Sequence, residues 1–224
     1  MTNELIFALH VGTISLSTLL FCRLGKEALI AYVSLLFVIA NIFVIKQINL
    51  FGWSVTSADA FIVGISFSIN LLQEFWGQKY ARKAIWISFA CSVFYMITTL
   101  FILGYTPSHA DTAHPHFASI MAFTIRIISA SFISYLITQF ADMHLYGYIK
   151  KQTHGKYFIF RNYFALGSSQ LIDTILFSYL GLYGIVENIG HIITMSYSIK
   201  IIAIFMTTPF LLIAKKAALS QNKN

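Results

Sequence analysis

Seven apolar stretches joined by short connections make up most of this chain, and each approaches the length of a helix that crosses a lipid bilayer. They run Leu5–Cys22, Ala28–Ile45, Ala58–Leu72, Ala84–Leu103, Phe117–Phe140, Phe164–Val186 and Ile192–Ala214. A hydrocarbon core of about 30 Å takes roughly 20 apolar residues of helix. The third stretch is short, and gains length either by running through Glu74 or by starting near Gly52 and Trp53. Charged residues are 10% of the 224, and hydrophobic ones 58%. A soluble domain carries about 25% charge, so this chain has too little to cover its surface in water. The expected fold class is an all-α polytopic membrane protein: a bundle of six to seven transmembrane helices around a polar central cavity. Residues 1–224 read as one domain, because no linker or polar block divides the stretches. The first stretch lacks a basic leading region and a small-residue cleavage site, so a signal peptide is not expected. Cys22 and Cys91 fall inside apolar stretches and read as small lipid- or helix-facing residues, not a disulfide or a metal pair.

The formal charge of +7 would suit a nucleic-acid partner, but its placement argues against one. Arg23 and Lys26 lie between the first two stretches, and Lys79, Arg82 and Lys83 between the third and fourth. Lys150, Lys151, Lys156 and Arg161 lie between the fifth and sixth, and Lys215, Lys216 and Lys223 form the tail. Twelve of the 15 basic residues thus fall on alternate connections. The connections around Tyr105–His116 and Glu187–His191 carry none. By the positive-inside rule this places the N-terminus outside and the C-terminus in the cytoplasm. The charge is an orientation signal, and the partner it implies is the bilayer.

Four ionisable residues remain in or near the apolar stretches: Glu74, Arg126, Asp173 and Lys200. An Asp, Lys or Arg at a helix centre costs about 2.5–3.5 kcal/mol on insertion scales, and three facing lipid would cost on the order of 8–10. They must pair, face the bundle interior or line a wet cavity. Two acids and two bases permit pairing. Polar neighbours at helical spacing favour a cavity, since positions three and four apart share a face. Ser169, Gln170 and Asp173 share one face of the sixth stretch, and Ser196, Tyr197, Lys200 and Thr207 one face of the seventh. Ser131, Tyr135, Gln139 and Asp142 form a stripe on the fifth, with Arg126 on another side. Trp53, Trp76 and Trp86 near stretch ends read as interfacial anchors.

Other chemistry finds little purchase. His109, Asp111, His114 and His116 crowd one connection, but Pro107 and Pro115 argue for an irregular, solvated outer loop instead of a metal site. There is no GxxxxGK[ST] loop, no GxSxG elbow and no HExxH, so no ATP hydrolysis, lipase or zincin chemistry is expected, and no cofactor.

Three stretches carry a family resemblance: "NLLQEFWGQKYARKAIW", "RIISASFISYLITQFADMHLYGYIKKQTHGKYFIFRN" and "SSQLIDTILFSYLGLYG". They resemble the queuosine precursor transporters, also grouped as vitamin uptake transporters, and "YSIK" ahead of Pro209 fits the family's last helix. The resemblance runs from Asn70 onward; Met1–Leu50 matches in hydropathy alone. It implies a bacterial inner-membrane importer of 7-deazaguanine bases (preQ0, preQ1 or queuine) for tRNA modification. Members often carry Asp and then Asn-Glu where this chain has Asn70 and Gln73-Glu74, which leaves Glu74 as the acid there.

Such a base presents an N–H and an NH2 side by side, which one carboxylate accepts together. Asp173 or Glu74 is the expected acceptor, and Gln139, Gln170, Arg126 or Lys200 the donor to the ring carbonyl. Asn70, Gln73, Ser131, Tyr135 and Tyr197 complete the expected substrate site, with Glu74 at the cytoplasmic edge of the cavity as ligand or gate. Two rival readings stand beside this one: a vitamin-binding component energised by an ATPase partner, and a membrane enzyme using Asp173 and Lys200 as acid and base. A homodimer also stays open.

Overall fold

The computed structural model describes residues 1–121, 125–184 and 188–221, with the side chains of 125 and 217–221 excepted. Val186, Glu187 and Lys223, used above as boundary or charge markers, lie outside them. The helices are α1 (Asn3–Leu24), α2 (Lys26–Phe43), α3 (Asp59–Trp76), α4 (Gln78–Gly104), α5 (His114–Met121), α6 (Ile125–Gln152), α7 (Phe158–Phe177), α8 (Ile189–Met206) and α9 (Thr208–Gln221). Single glycines separate α1 from α2 and α3 from α4: Gly25 at φ 112° and Gly77 at φ 91°. In each case a residue without Cβ takes a positive-φ, extended-ψ conformation that ends one helix and lets the next begin at once. Lys79, Arg82 and Lys83 therefore lie on the first turns of α4, not in a loop.

Several details depart from the sequence reading. Between α2 and α3 sits a small antiparallel hairpin, β1 (Gln47–Leu50) with β2 (Trp53–Thr56), where Leu50 faces Trp53. Its turn, Phe51-Gly52, takes positive φ at both residues, as a tight two-residue hairpin requires. The third stretch thus gains its length by running through Glu74 and does not begin at Gly52. The connection after α4 is not irregular throughout: α5 opens at His114 with Pro115 in its first turn, where a missing N–H costs nothing. The last stretch breaks at Thr207, because Pro209 cannot donate to the helix before it.

Among the described residues α1, α2, α4 and the α8–α9 unit are long and apolar enough to cross a membrane, and α5 with α6 would add a fifth. Their outer faces show large apolar side chains, such as Leu16 and Leu20 of α1, Phe94 and Phe101 of α4, and Phe205 of α8. A belt of that kind belongs in lipid, and the chain is a multi-pass membrane protein. α3 is different. It packs against α1, α2, α4, α6, α7 and α8, and all but a few of its side chains are buried. A helix surrounded by protein need not be apolar, which is why it carries Asp59, Asn70, Gln73 and Glu74. Close approach to α1 depends on Gly64, where a Cβ would meet Ile14 Cγ2 at 2.3 Å. The pair is reinforced by Thr18 and Ser68, whose hydroxyls lie 3.0 Å apart.

The two ends of the bundle differ. At one lie the hairpin and the start of α1, tied by Asn3 Nδ2 donating to Asn49 O at 3.0 Å and Phe51 N donating to Glu4 Oε1 at 3.1 Å. At the other lie Arg23, Lys26, Lys79, Arg82, Lys83, Lys150, Lys151 and Lys156. We refer to these as the hairpin face and the basic face.

Candidate functional site

A cavity of about 550 Å³ lies toward the hairpin face. That falls within the ~300–1,000 Å³ of ordinary small-molecule sites. Its walls come from the end of α2, the hairpin, the start of α3, the first half of α6, the end of α7 and the start of α8. Apolar side chains such as Phe37, Val44, Phe177 and Met195 form most of the lining. Tyr135 stacks on Phe37 with ring centroids 3.6 Å apart, and its hydroxyl lies 2.5 Å from Ser88 Oγ, so a flat aromatic surface is fixed in place.

Polar groups gather where α3, α7 and α8 line the cavity. Lys200 Nζ lies 2.7 Å from Asp173 Oδ2 and 3.7 Å from Asp59 Oδ1, and donates to Thr174 Oγ1 at 3.1 Å. Ser196, one helical turn before Lys200, donates to both oxygens of Asp59 at 3.3 Å. The side chains of Lys200 and Asp59 are 4% exposed and that of Asp173 is 13%, so Asp173 is the carboxylate most open to the cavity. One ammonium between two carboxylates leaves the group with one uncompensated negative charge. That is an unusual state for a buried ionic cluster, and it favours an occupant with hydrogen-bond donors.

Asp59 was not among the expected ionisable residues. It sits at the second position of a stretch counted as apolar, and that oddity was the available signal. Nothing local in the sequence announces that it meets Lys200, which lies far along the chain. The expectation of two acids balanced by two bases also changes, because Asp59, Asp142 and Arg161 all join the buried set while Arg126 is exposed.

Of the expected substrate residues, Ser131, Tyr135, Asp173 and Lys200 line the cavity. Ser131 Oγ donates to Asn41 Oδ1, another lining residue, at 3.1 Å. Gln139 and Gln170 lie just beneath, meeting on one hydroxyl: Gln139 Nε2 and Gln170 Nε2 approach Ser66 Oγ at 3.0 and 3.1 Å. Asn70 and Gln73 lie deeper; Asn70 is fully buried, and Gln73 Nε2 donates to Met143 O at 3.0 Å. Tyr197 turns to α7 and donates to Gly167 O at 3.3 Å.

Two residues stand elsewhere. Arg126 donates to Leu180 O at 2.9 Å and Tyr183 O at 2.6 Å, serving carbonyls freed where α7 ends in a π turn at Ser178–Leu182. The structure does not bring it to the cavity wall. Glu74 lies fifteen residues beyond Asp59, ~22 Å along α3, at the basic face. It accepts a forked pair from Arg161 Nη2 at 3.0 and 2.9 Å and a hydrogen bond from Tyr146 OH at 2.7 Å, and pairs with Lys150 Nζ at 3.1 Å. Arg161, read above as a loop cation, is fully buried on α7, its guanidinium between the rings of Tyr146 and Phe158. The signal for it was present: Arg161 follows Phe158-Ile159-Phe160, already inside an apolar run.

The cavity and the Glu74 cluster thus occupy opposite ends of α3, with a polar interior between them. His109 of the α4–α5 connection and His116 of α5 lie apart from both and are exposed.

Similarity to known proteins gives this architecture its context. A sequence profile of the family described as "Putative vitamin uptake transporter" matches residues 57–214, which takes in every cavity wall except α2 and the hairpin. The chain is 28% identical over 196 residues to a Bacillus subtilis (strain 168) protein named "Probable queuosine precursor transporter". The match covers 86% of this chain and 85% of that protein. No solved structure matches. Both findings name transporters, which overrules the reading of Asp173 and Lys200 as the acid and base of a membrane enzyme. A multi-pass membrane protein by its apolar helices and a transporter by these matches, the chain belongs to the vitamin uptake transporter family.

Proposed function

We propose that this chain imports queuosine precursors, 7-deazaguanine bases such as preQ0, preQ1 or queuine, across a bacterial inner membrane for tRNA modification. The observation that carries the reading is the cavity: a fixed aromatic surface, Phe37 with Tyr135, shares it with Asp173, the most exposed carboxylate of the ionic group. A flat base stacks on the first and offers its N–H and NH2 to the second. Lys200, released from Asp173 as the base binds, then has an acceptor in the ring carbonyl. Substrate and ammonium compete for one carboxylate, so binding biases a two-state element.

On this reading α1 to α9 form seven crossings around a polar centre, with the N-terminus outside and the basic face in the cytoplasm. The described conformation is then open toward the outside and sealed inside by the Glu74–Arg161–Lys150 cluster. Expression in a strain unable to make or import these precursors, with each base supplied in turn, tests the reading. Queuosine should appear in tRNA with at least one base, and purified protein in vesicles should take up that base without ATP. Failure with all three bases would overturn the substrate assignment, and uptake strictly dependent on an added ATPase would favour the energised-complex alternative.

A further inference from the structure

We propose that Asp142 is a proton-binding site through which transport is coupled to a proton gradient; this rests on the transport reading above. Asp142 lies in α6 beyond the Ser66–Gln139–Gln170 layer as seen from the cavity, and does not line the cavity. It is fully buried; neither carboxyl oxygen makes a close hydrogen bond, and the polar side chains within reach of it are Asn70 and Ser169. Among the described residues no ion pair reaches it.

The groups that face it are neutral. From α3 comes Asn70, fully buried, whose amide makes no close hydrogen bond elsewhere. From α7 comes Ser169, whose hydroxyl donates to Leu166 O at 3.1 Å. Thr138, one turn back on α6, also has an unpartnered hydroxyl. The nearest charged groups on these elements are already engaged. Toward the basic face, Glu74 of α3 and Arg161 of α7 hold each other, with Lys150 and Tyr146 of α6. Toward the cavity, Lys200 of α8 is held by Asp173 and Asp59.

A carboxylate with no counter-ion and only the neutral side chains of Asn70 and Ser169 toward it is costly in such a place, whereas a carboxylic acid there is a small neutral group. Position then makes the proton mobile. Asp142 lies between the open cavity and the seal one helical turn away at Glu74 and Tyr146. Parting that seal admits water to Asp142, which ionises and releases its proton on the basic side. The seal then recloses over the carboxylate, held through that step by the Asn70 amide, and the proton that restores –COOH enters from the hairpin side once the cavity faces it. Each cycle therefore moves one proton with the substrate: –COO⁻ plus H⁺ gives –COOH on one side, and the reverse occurs on the other.

The test uses the full chain in proteoliposomes, with radiolabelled 7-aminomethyl-7-deazaguanine as probe and the membrane potential clamped at zero. A lumen more alkaline by one pH unit should drive about tenfold accumulation for one proton per base. A sodium gradient at matched pH should drive none. Asp142→Asn, which has the shape of the neutral acid, should keep wild-type counterflow exchange and lose accumulation. Counterflow in the wild type without accumulation under the pH gradient, accumulation driven by sodium, or normal accumulation by Asp142→Asn would overturn the proposal. The wild-type arms stand whether or not the variant folds. A wild type with no counterflow would instead overturn the transport reading, and this inference with it.

Discussion

Lys200→Met removes the ammonium from between Asp173 and Asp59 while keeping a side chain of similar length and shape. Breaking a buried pair by removing one partner costs about 3–5 kcal/mol, because a charge is left uncompensated. Here two carboxylates lose their partner at once, one of them 4% and the other 13% exposed, so the upper part of that range applies. At roughly 2–4 °C per kcal/mol for a chain of this size, the melting temperature should fall on the order of 10–20 °C. The sequence alone suggests that pairing this change with Asp173→Leu would restore stability. The structure says otherwise, because Asp59 would still face the cavity with Ser196 as its remaining partner. The double variant should recover part of the loss, and adding Asp59→Asn should recover most of the rest, with uptake absent throughout. Thermal shift in detergent, with and without base, measures all three. A single variant as stable as the wild type would refute the pairing. Full recovery in the double variant would refute the part assigned to Asp59.

Other outcomes follow from the same geometry. Asp173→Asn should insert normally and lose base binding by about 1.5–3 kcal/mol, the worth of a hydrogen bond to a charged group, since an amide oxygen and NH2 cannot accept two adjacent donors; isothermal titration in detergent checks it, and unchanged affinity would make Asp173 a partner of Lys200 alone. Gly64→Ala places a Cβ 2.3 Å from Ile14 Cγ2 and should cost about 1–3 kcal/mol of stability, with Ile14→Ala restoring part of it in a thermal-shift comparison. Cysteines introduced at Lys151 and Lys216 should resist an impermeant reagent applied to whole cells while one at Asp111 reacts; labelling at Lys151 would reverse the proposed orientation.

Most of the membrane architecture was legible because it depends on composition over windows of twenty residues. Lipid penalises every exposed polar group alike, so the apolar runs that became α1, α2, α4 and α8 announce themselves. The local stripes were legible too: helical periodicity alone aligns Ser131 with Tyr135 and Gln139, and Ser196 with Lys200. The Lys200–Asp173 pair could be anticipated from cost, since neither residue survives alone in an apolar helix.

What required the tertiary structure was which helix lies inside. Hydropathy cannot tell a helix that faces lipid from one wrapped by its neighbours, so α3 looked like a short span when it is the central element. That error hid Asp59, whose meaning comes from an ammonium on α8, and it set Glu74 at the cavity edge when α3 carries it to the opposite face. Arg161 was misread for the same reason: a cation near a loop is solvated by default, and only the packing of Tyr146, Phe158 and Glu74 around it gives it a buried partner. Charge on a surface is decided by the nearest few residues of sequence. Charge in an interior is decided by whichever distant side chains the fold brings within 4 Å, and no local pattern encodes that meeting.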